Sequence, residues 1–326
     1  MNILATGGAG YVGSTVLRQL LKQGHNCWAY DNLSKGFTEA VPDGHLIEGD
    51  LADYDKLVSV MKEKKIDAIM HFAASIAVGE SCQMPREYYR NNVVNSLTLL
   101  DSMQDAGVGK IVFSSTAAVF APAKEGASLN EESPKDPDSP YAFSKYAIER
   151  MIQHFSKAYG IGFTILRYFN ACGADPTGQY GEAHEPETHL IPLVLQVPLG
   201  QRESISVFGN DYPTEDGTCV RDYIHVQDLA DAHIRAVENM EVGKGNFYNI
   251  GTGKGNSVME VIRAAEEVVG QQIPYVISGR RDGDTAVLVA SSDKLKSELG
   301  WVPKYTDIKD IIADAWRWHK DHPNGY

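Results

Sequence analysis

Cysteine is scarce in this chain, and none is paired by spacing. Cys27, Cys82, Cys172 and Cys219 are scattered, with no C-x-x-C. A disulfide framework and a zinc ribbon are therefore excluded, and free thiols are expected. Long apolar runs are missing too. None approaches the length that spans a bilayer, so no membrane segment is expected. The first residues lack a basic stretch followed by a long apolar one. No secretory signal is read, and a cytoplasmic location is expected. The ten histidines contain no H-E-x-x-H. His319 and His322 have helix-face spacing but read as a solvated C-terminal end, so no metal is expected. Basic charge is in deficit: 30 Lys and Arg against 43 Asp and Glu give a formal net charge of −13. That balance excludes general nucleic-acid binding. Any phosphate-bearing ligand must be held by local arginines or helix N-termini against the overall field.

What remains is an ordinary globular composition, and 326 residues suffice for one large or two modest domains. The first half alternates short apolar runs with helical periodicity. Strands are predicted over 2–6, 26–30, 45–48, 67–72, 110–115 and 162–168. Helices are predicted over about 12–22, 57–65, 87–106 and 140–159. Such alternation predicts an α/β fold, a Rossmann-type doubly wound parallel sheet covered on both faces. The pattern changes after about residue 170. Residues 171–187 are rich in Gly, Pro, Asp and Glu and read as a loop over a site. A short apolar helix follows at 189–199, then strands at 205–208, 222–226 and 246–250. Helices are expected up to about 239 and from 257. This predicts a nucleotide-binding domain over 1–170, with 222–239 packing back on it, and a smaller mixed α/β substrate domain over 171–326.

The glycine cluster Gly7-Gly-Ala-Gly-Tyr-Val-Gly13 lies between a predicted strand and a predicted helix. In that setting it reads as a dinucleotide fingerprint. Gly7 permits the tight turn, Gly10 lets backbone approach a pyrophosphate, and Gly13 lets the helix pack on the strand. Asp31 ends the next strand, about 20 residues on. Its charge favours the free 2′-hydroxyl of NAD and repels the extra phosphate of NADP.

Tyr141-Ala-Phe-Ser-Lys145 places a phenol and an ammonium on one helix face. The ammonium favours the phenolate, so Tyr141 is expected to serve as a base near neutral pH. Beside a nicotinamide, such a base deprotonates an alcohol while its hydride leaves. The pair alone is weak, since about one Tyr-x-x-x-Lys match is expected by chance. Tyr305-Thr-Asp-Ile-Lys309 is the internal control. It has no strand ending in Ser or Thr upstream and reads as structural. Tyr141 follows Phe113-Ser-Ser-Thr116, which supplies that strand.

With these motifs in place, the chain resembles the UDP-glucose 4-epimerases of the extended short-chain dehydrogenase/reductase superfamily. The likeness runs through His71-Phe-Ala-Ala74, Val78-Gly-Glu-Ser81, Ser139-Pro-Tyr141 and Leu166-Arg-Tyr-Phe-Asn170. Its most specific block spans 207–226, within which stands Asp216-Gly-Thr-Cys-Val-Arg-Asp-Tyr-Ile-His-Val226. The resemblance implies reversible, NAD-dependent C4 epimerisation of UDP-galactose and UDP-glucose through a transient 4-keto sugar, in galactose metabolism. Tyr141 would take the 4-hydroxyl proton, Lys145 would hold it ionised and bond the nicotinamide ribose, and Thr116 would bond the 4-oxygen. Tyr11 and Val12 would border the pyrophosphate, and Asn32 and Ser34 would join Asp31 at the adenosine ribose. Asp50 and Leu51 would border adenine, while Phe72, Ala73, Asn91 and Phe169 would line the cofactor. Asn170, Leu190, Phe208, Arg221, Arg281 and Asp284 would contact the UDP-sugar, and 171–326 would be the UDP-sugar-binding domain. Arg221 and Arg281 suit a pyrophosphate, and Asp284 suits ribose hydroxyls. A homodimer through helices near 87–106 and 142–159 is also implied.

Three positions set expectations of their own. Ile76 stands where some members carry a lysine that reaches the cofactor, so weaker cofactor retention is expected. His189 replaces an asparagine before Leu190, which leaves that sugar contact open. Leu288 falls where the family borders the sugar's C2 substituent, and a residue smaller than tyrosine implies slow acceptance of UDP-N-acetylhexosamines. Two rival readings share the fold. A nucleotide-sugar 4,6-dehydratase needs an acid and base after Thr116, where this chain has Ala117-Ala118. A non-catalytic NAD-binding sensor would be expected to lose Thr116, Tyr141 or Lys145, and all three are present.

Overall fold

The computed structural model describes residues 1–122, 128–281 and 284–326. In chain order, the first half comprises β1 (Asn2–Thr6), α1 (Tyr11–Lys22), β2 (Asn26–Asp31), β3 (Leu46–Glu48), α2 (Tyr54–Glu63) and β4 (Ala68–His71). Then come α3 (Val78–Gln83), α4 (Pro85–Tyr88), a π-helical stretch Tyr89–Val94, α5 (Asn95–Ala106), β5 (Lys110–Thr116), α6 (Pro140–Tyr159) and β6 (Gly162–Tyr168). The second half holds β7 (Asn170–Cys172), α7 (Leu190–Gln196), β8 (Ile205–Phe208), β9 (Val220–His225), α8 (Val226–Glu238), β10 (Gly245–Ile250) and β11 (Gly255–Ser257). It closes with α9 (Val258–Val269), β12 (Tyr275–Ser278), β13 (Val287–Leu288), α10 (Asp293–Leu299) and α11 (Ile308–Asp321).

Among the described residues, seven strands form one parallel sheet in the order β10-β6-β5-β4-β1-β2-β3. The inner strands read as continuous apolar runs because both faces are covered. From Ile111 to Thr116 every residue of β5 is buried. On one face α1 and α8 pack together through Val16, Leu17, Leu20, Leu229, Ile234 and Val237. On the other, α2, α5 and α6 bury Leu57, Leu99, Met103, Ile148 and Ile152. This is the doubly wound architecture expected from the strand–helix alternation. The chain winds outward from β1 through β2 to β3, then returns to β4 on the other side of β1. The reversal opens a crevice at the carboxyl ends of β1 and β4.

The second half contributes to two regions. β10 takes the edge of the large sheet beside β6, in register from Gly245↔Phe163 to Ile250↔Tyr168. The remainder builds a smaller assembly on β9, which pairs with β7, β11 and β13, next to the parallel pair β8–β12. Its core is made by α7, α9 and α11 through Ile191, Val194, Leu195, Val261, Ile262 and Ile312.

The helix predicted over 87–106 is not continuous. Between α4 and α5 the backbone widens to a π-helix. The side chains explain the interruption. Asn91 donates to Ser75 Oγ (3.0 Å), and the neighbouring Asn92 bonds the Ser75 backbone on both sides and donates to Ser144 Oγ (2.9 Å). Two consecutive residues thus reach the same segment at the mouth of the crevice, which a regular helix would turn about 100° apart.

Candidate active site

The glycine turn is built by close approaches. Gly7 has φ +73°, and a Cβ there would lie 2.5 Å from the Ala73 amide nitrogen, against the chain leaving β4. A Cβ on Gly13 would lie 2.3 Å from Gly7 O, so the glycine lets the helix sit on its own turn. Gly10 caps α1 without any side-chain hydrogen bond, and the first turn of the helix starts at Tyr11 and Val12. Backbone amides at such an end suit a phosphate group. A residue the sequence reading did not single out is Gly8, whose Cβ would meet Ala29 Cβ of β2 at 2.7 Å.

Asp31 ends β2 beside this turn. Its carboxylate accepts from Ala9 N (3.0 Å) and Leu33 N (2.9 Å). Burial raises its pKa, and those two amides pull it back. Asn32 bonds both Asp50, at 2.7 Å, and Ser34, so Asp31, Asn32 and Ser34, expected around an adenosine ribose, and Asp50, expected at adenine, are brought together at the ends of β2 and β3. Leu51 is buried beside them. Phe72 and Ala73 leave β4 with their amides on Thr6 O (2.8 and 3.0 Å). Ile76 lies exposed beyond them.

Tyr141 and Lys145 are delivered by the start of α6. Ser139 caps that helix by accepting from Ala142 N (3.2 Å), and Pro140 fixes its first turn. Thr116, at the end of β5, lies near enough to the Tyr141 phenol to favour its ionised form. Lys145 is buried, with Nζ donating to Ser114 O (2.8 Å). The expected phenolate does not arise from the protein's own groups alone. Burial pushes the Tyr141 phenol up, nearby Tyr168 adds to the rise, and only Thr116 opposes it. Lys145 is itself pushed down to about 7 by burial, in spite of Glu149. The protein's own groups therefore favour the neutral phenol, because desolvation outweighs the contribution of Thr116. The control behaves as expected. Tyr305 stacks on His225 at 3.9 Å between ring centroids, and Lys309 pairs with Glu267.

Behind these residues lie groups that the sequence reading missed. Ser114 Oγ shares a hydrogen with His233 Nε2 (2.9 Å). Ser115 Oγ donates to Glu149 Oε1 (2.5 Å), and Arg167 grips the same carboxylate through two bonds of 2.9 and 2.6 Å. A charged Arg167 between Leu166 and Tyr168 in an otherwise largely apolar, buried strand was the available signal.

The predicted substrate residues gather on the smaller assembly. Asn170 in β7 donates to Asp222 O (3.0 Å). Arg221 in β9 pairs with Asp284 (3.0 Å) and donates to Thr285 O (2.9 Å). Arg281 lies over the Phe208 ring, 3.9 Å from its centroid. Leu288 pairs with Arg221 in register and packs near Phe169, Val119 and Tyr146. Leu190 opens α7 on the edge of the same core. His319 and His322 depart from the solvated end expected of them. His322 stacks on Trp318 at 3.8 Å, and burial lowers the pKa of His319. The reason is that the C-terminal tail folds back: Tyr326 bonds Gly181 and Trp318 Nε1 donates to Glu182 O (3.0 Å).

The family described as "NAD dependent epimerase/dehydratase family" matches residues 3–251. The UDP-glucose 4-epimerase of Halalkalibacterium halodurans is 50% identical over 100% of this chain and 98% of its own length. The chain belongs to the UDP-glucose 4-epimerases of that family. Two solved members agree in fold. The UDP-glucose 4-epimerase from Bifidobacterium longum, in complex with NAD+ and UDP, has a TM-score of 0.94 at 37% identity, covering 100% of both chains. The UDP-Glc/GlcNAc 4-epimerase of Campylobacter jejuni has a TM-score of 0.85 at 40% identity, covering 98% of this chain and 99% of that one. This UDP-glucose 4-epimerase family member is thus an isomerase with NAD as cofactor. Its residues suit that cofactor, since the Gly7–Gly13 turn leaves an uncapped helix end and Asp31 holds a carboxylate beside that turn, accepting from Ala9 N.

Proposed function

We propose that the chain interconverts UDP-galactose and UDP-glucose at C4, in galactose metabolism, with Tyr141, Thr116 and Lys145 as the catalytic set. The observation that carries this reading is the convergence of Thr116, Tyr141 and Lys145 at the carboxyl end of β5: Lys145 donates to Ser114 O (2.8 Å), and the Thr116 side chain acts on the Tyr141 phenol. NAD, when bound, supplies a reversible hydride acceptor and a positive charge. Tyr141 takes the 4-hydroxyl proton and returns it after the 4-keto sugar has turned about its pyrophosphate linkage. Thr116 bonds the 4-oxygen on both sides of the exchange. Lys145, anchored on Ser114 O, orients the cofactor ribose and adds its charge when protonated. Gly10, Tyr11 and Val12 receive the pyrophosphate of NAD, and Asp31, Asn32 and Ser34 its adenosine ribose. Asp50, Leu51, Phe72, Ala73, Asn91 and Phe169 line the rest of it. Arg221 and Arg281 take the pyrophosphate of the sugar nucleotide, with Asp284, Asn170, Leu190 and Phe208 around it. We assign 171–326 to UDP-sugar binding, apart from the segments that pack on the large sheet. The free thiols fit a cytoplasmic enzyme.

Purified protein given catalytic NAD should convert UDP-galactose to UDP-glucose with no net change in NADH absorbance. Absence of product at saturating NAD would refute the epimerase reading. Accumulation of a 4-keto-6-deoxy product would support the dehydratase, which Ala117 and Ala118 oppose.

Substrate breadth rests on Leu288. It is part-buried and packs beside Phe169, so its size sets the width of that wall. UDP-N-acetylgalactosamine should be epimerised more slowly than UDP-galactose. Leu288→Tyr should selectively depress the N-acetylated reaction and Leu288→Ala should selectively raise it. Equal effects on both substrates would place the C2 pocket elsewhere.

A further inference from the structure

Between β7 and α7 the chain brings four ligand-type side chains into one cluster. Glu182, His184, Glu187 and His189 each offer one atom, and these atoms all lie within 4.8 Å of one another. His189 Nδ1 lies 2.9 Å from both Glu182 Oε1 and Glu187 Oε1. His184 Nδ1 lies 3.2 Å from Glu182 Oε1 and 3.5 Å from Glu187 Oε2. The ligands of a tetrahedral zinc are about 3.4 Å apart, given bond lengths of about 2.1 Å. The contacts, which use both oxygens of Glu187, run from 2.9 to 3.5 Å, and one atom from each residue fits within a 4.8 Å span.

A second observation points to a shared centre. Glu182 is 3% exposed, and its Oε1 and the buried Nδ1 of His184 lie within ion-pair distance of the cluster's other groups, yet neither meets a partner in hydrogen-bond geometry. The two atoms are close but not aligned on each other, as donors aimed at a common point would be. Buried polar atoms without partners are uncommon and call for an ion or water. Two imidazoles and two carboxylates are a zinc donor set, and two carboxylates balance the charge of a divalent ion. Four protein ligands leave no open position, which is the mark of a structural site.

We propose that Glu182, His184, Glu187 and His189 bind one structural Zn2+. The ion fastens the loop to its surroundings. Trp318 already holds the Glu182 carbonyl, and Tyr11 of the glycine turn donates to Gly173 O (2.7 Å) and meets the His184 ring edge-on. Zinc would thus lock the loop, the C-terminal helix and the start of α1 together. In its absence, the carboxylates outweigh burial and hold His184 and His189 protonated as an ion-pair cluster. Metal binding would displace those protons.

The test uses the full chain, purified without a metal resin, loaded with zinc sulfate and freed of excess by buffer exchange. It should retain about one zinc per chain. Cobalt in its place should give the visible absorption of a four-coordinate site. EDTA should lower the wild-type thermal midpoint, a readout that needs no variant. Glu182→Gln and His184→Gln should each cut retained zinc at least about tenfold, with far-UV circular dichroism unchanged. Wild type that keeps less than about a tenth of a zinc per chain, with no cobalt band, would overturn the proposal. So would full retention by both variants.

Discussion

Tyr141 and Lys145 are each displaced from their ordinary pKa toward the neutral form, and burial is the first cause in both. A phenol so placed needs added positive charge before it can act as a base, and under the proposed function the oxidised cofactor would supply it. Ultraviolet difference titration of wild type against Tyr141→Phe should find no ionisation of Tyr141 below pH 10 without NAD. With NAD the same difference should appear at lower pH. A neutral-pH tyrosinate signal without NAD would contradict the burial argument. The sign for stability follows from Lys145. Its folded pKa of about 7 lies below the ordinary 10.5, so between those values the unfolded chain binds the extra proton. Stability of the cofactor-free protein should therefore rise with pH across that window. Turnover by Tyr141→Phe should fall ~10²–10⁴-fold with NAD binding kept, and Tyr305→Phe should be nearly silent.

Helix α6 is tied to the sheet by a buried ion pair. Glu149 and Arg167 have side chains only 1% and 4% exposed, and their two parallel bonds join α6 to β6. Ser115 adds β5 to the same carboxylate. Removing one charge leaves the other buried and unbalanced. Glu149→Gln should cost about 3–5 kcal/mol of unfolding free energy, measured by urea denaturation. A loss below about 1 kcal/mol would mean that water enters the site and rescues Arg167. The pair also sits one turn beyond Lys145 on the helix that carries Tyr141. A stable α6 is thus a condition for the geometry of the catalytic set.

At the scale of the whole molecule, an apolar surface runs over the π-helical stretch, α5 and α6. Tyr89, Val94, Leu97 and Phe143 are 37%, 55%, 40% and 49% exposed, and Tyr89 meets Phe143 edge to face. Exposed apolar side chains grouped on adjacent helices suit a second copy of the chain, packed helix pair on helix pair. The protein should elute at twice the chain mass in light-scattering chromatography. Leu97→Asp should shift it toward the monomer with its circular dichroism intact. A monomeric wild type would remove the homodimer reading. No helix among the described residues is long and apolar enough to cross a membrane, so this surface is not a spanning segment.

The sequence by itself determined what depends on local spacing. Apolar runs and helical periodicity marked β1, α6 and β6 closely, because each is terminated by its own residues: the glycines after Thr6, Ser139-Pro140 before Tyr141, and Gly160 at φ +76°. The glycine cluster, Asp31 and the Thr116, Tyr141, Lys145 set were legible for the same reason, since their chemistry lies in short motifs. Only the tertiary structure decided the rest. The break in the helix over 87–106 depends on Ser75 and Ser144, which are distant in sequence from Asn92. The edge position of β10 is set by register against β6. The charge states of Tyr141 and Lys145 follow from desolvation, which spacing cannot express. The cluster at 182–189 matched no known metal motif, and its four side chains converge because the folded C-terminal tail holds the loop.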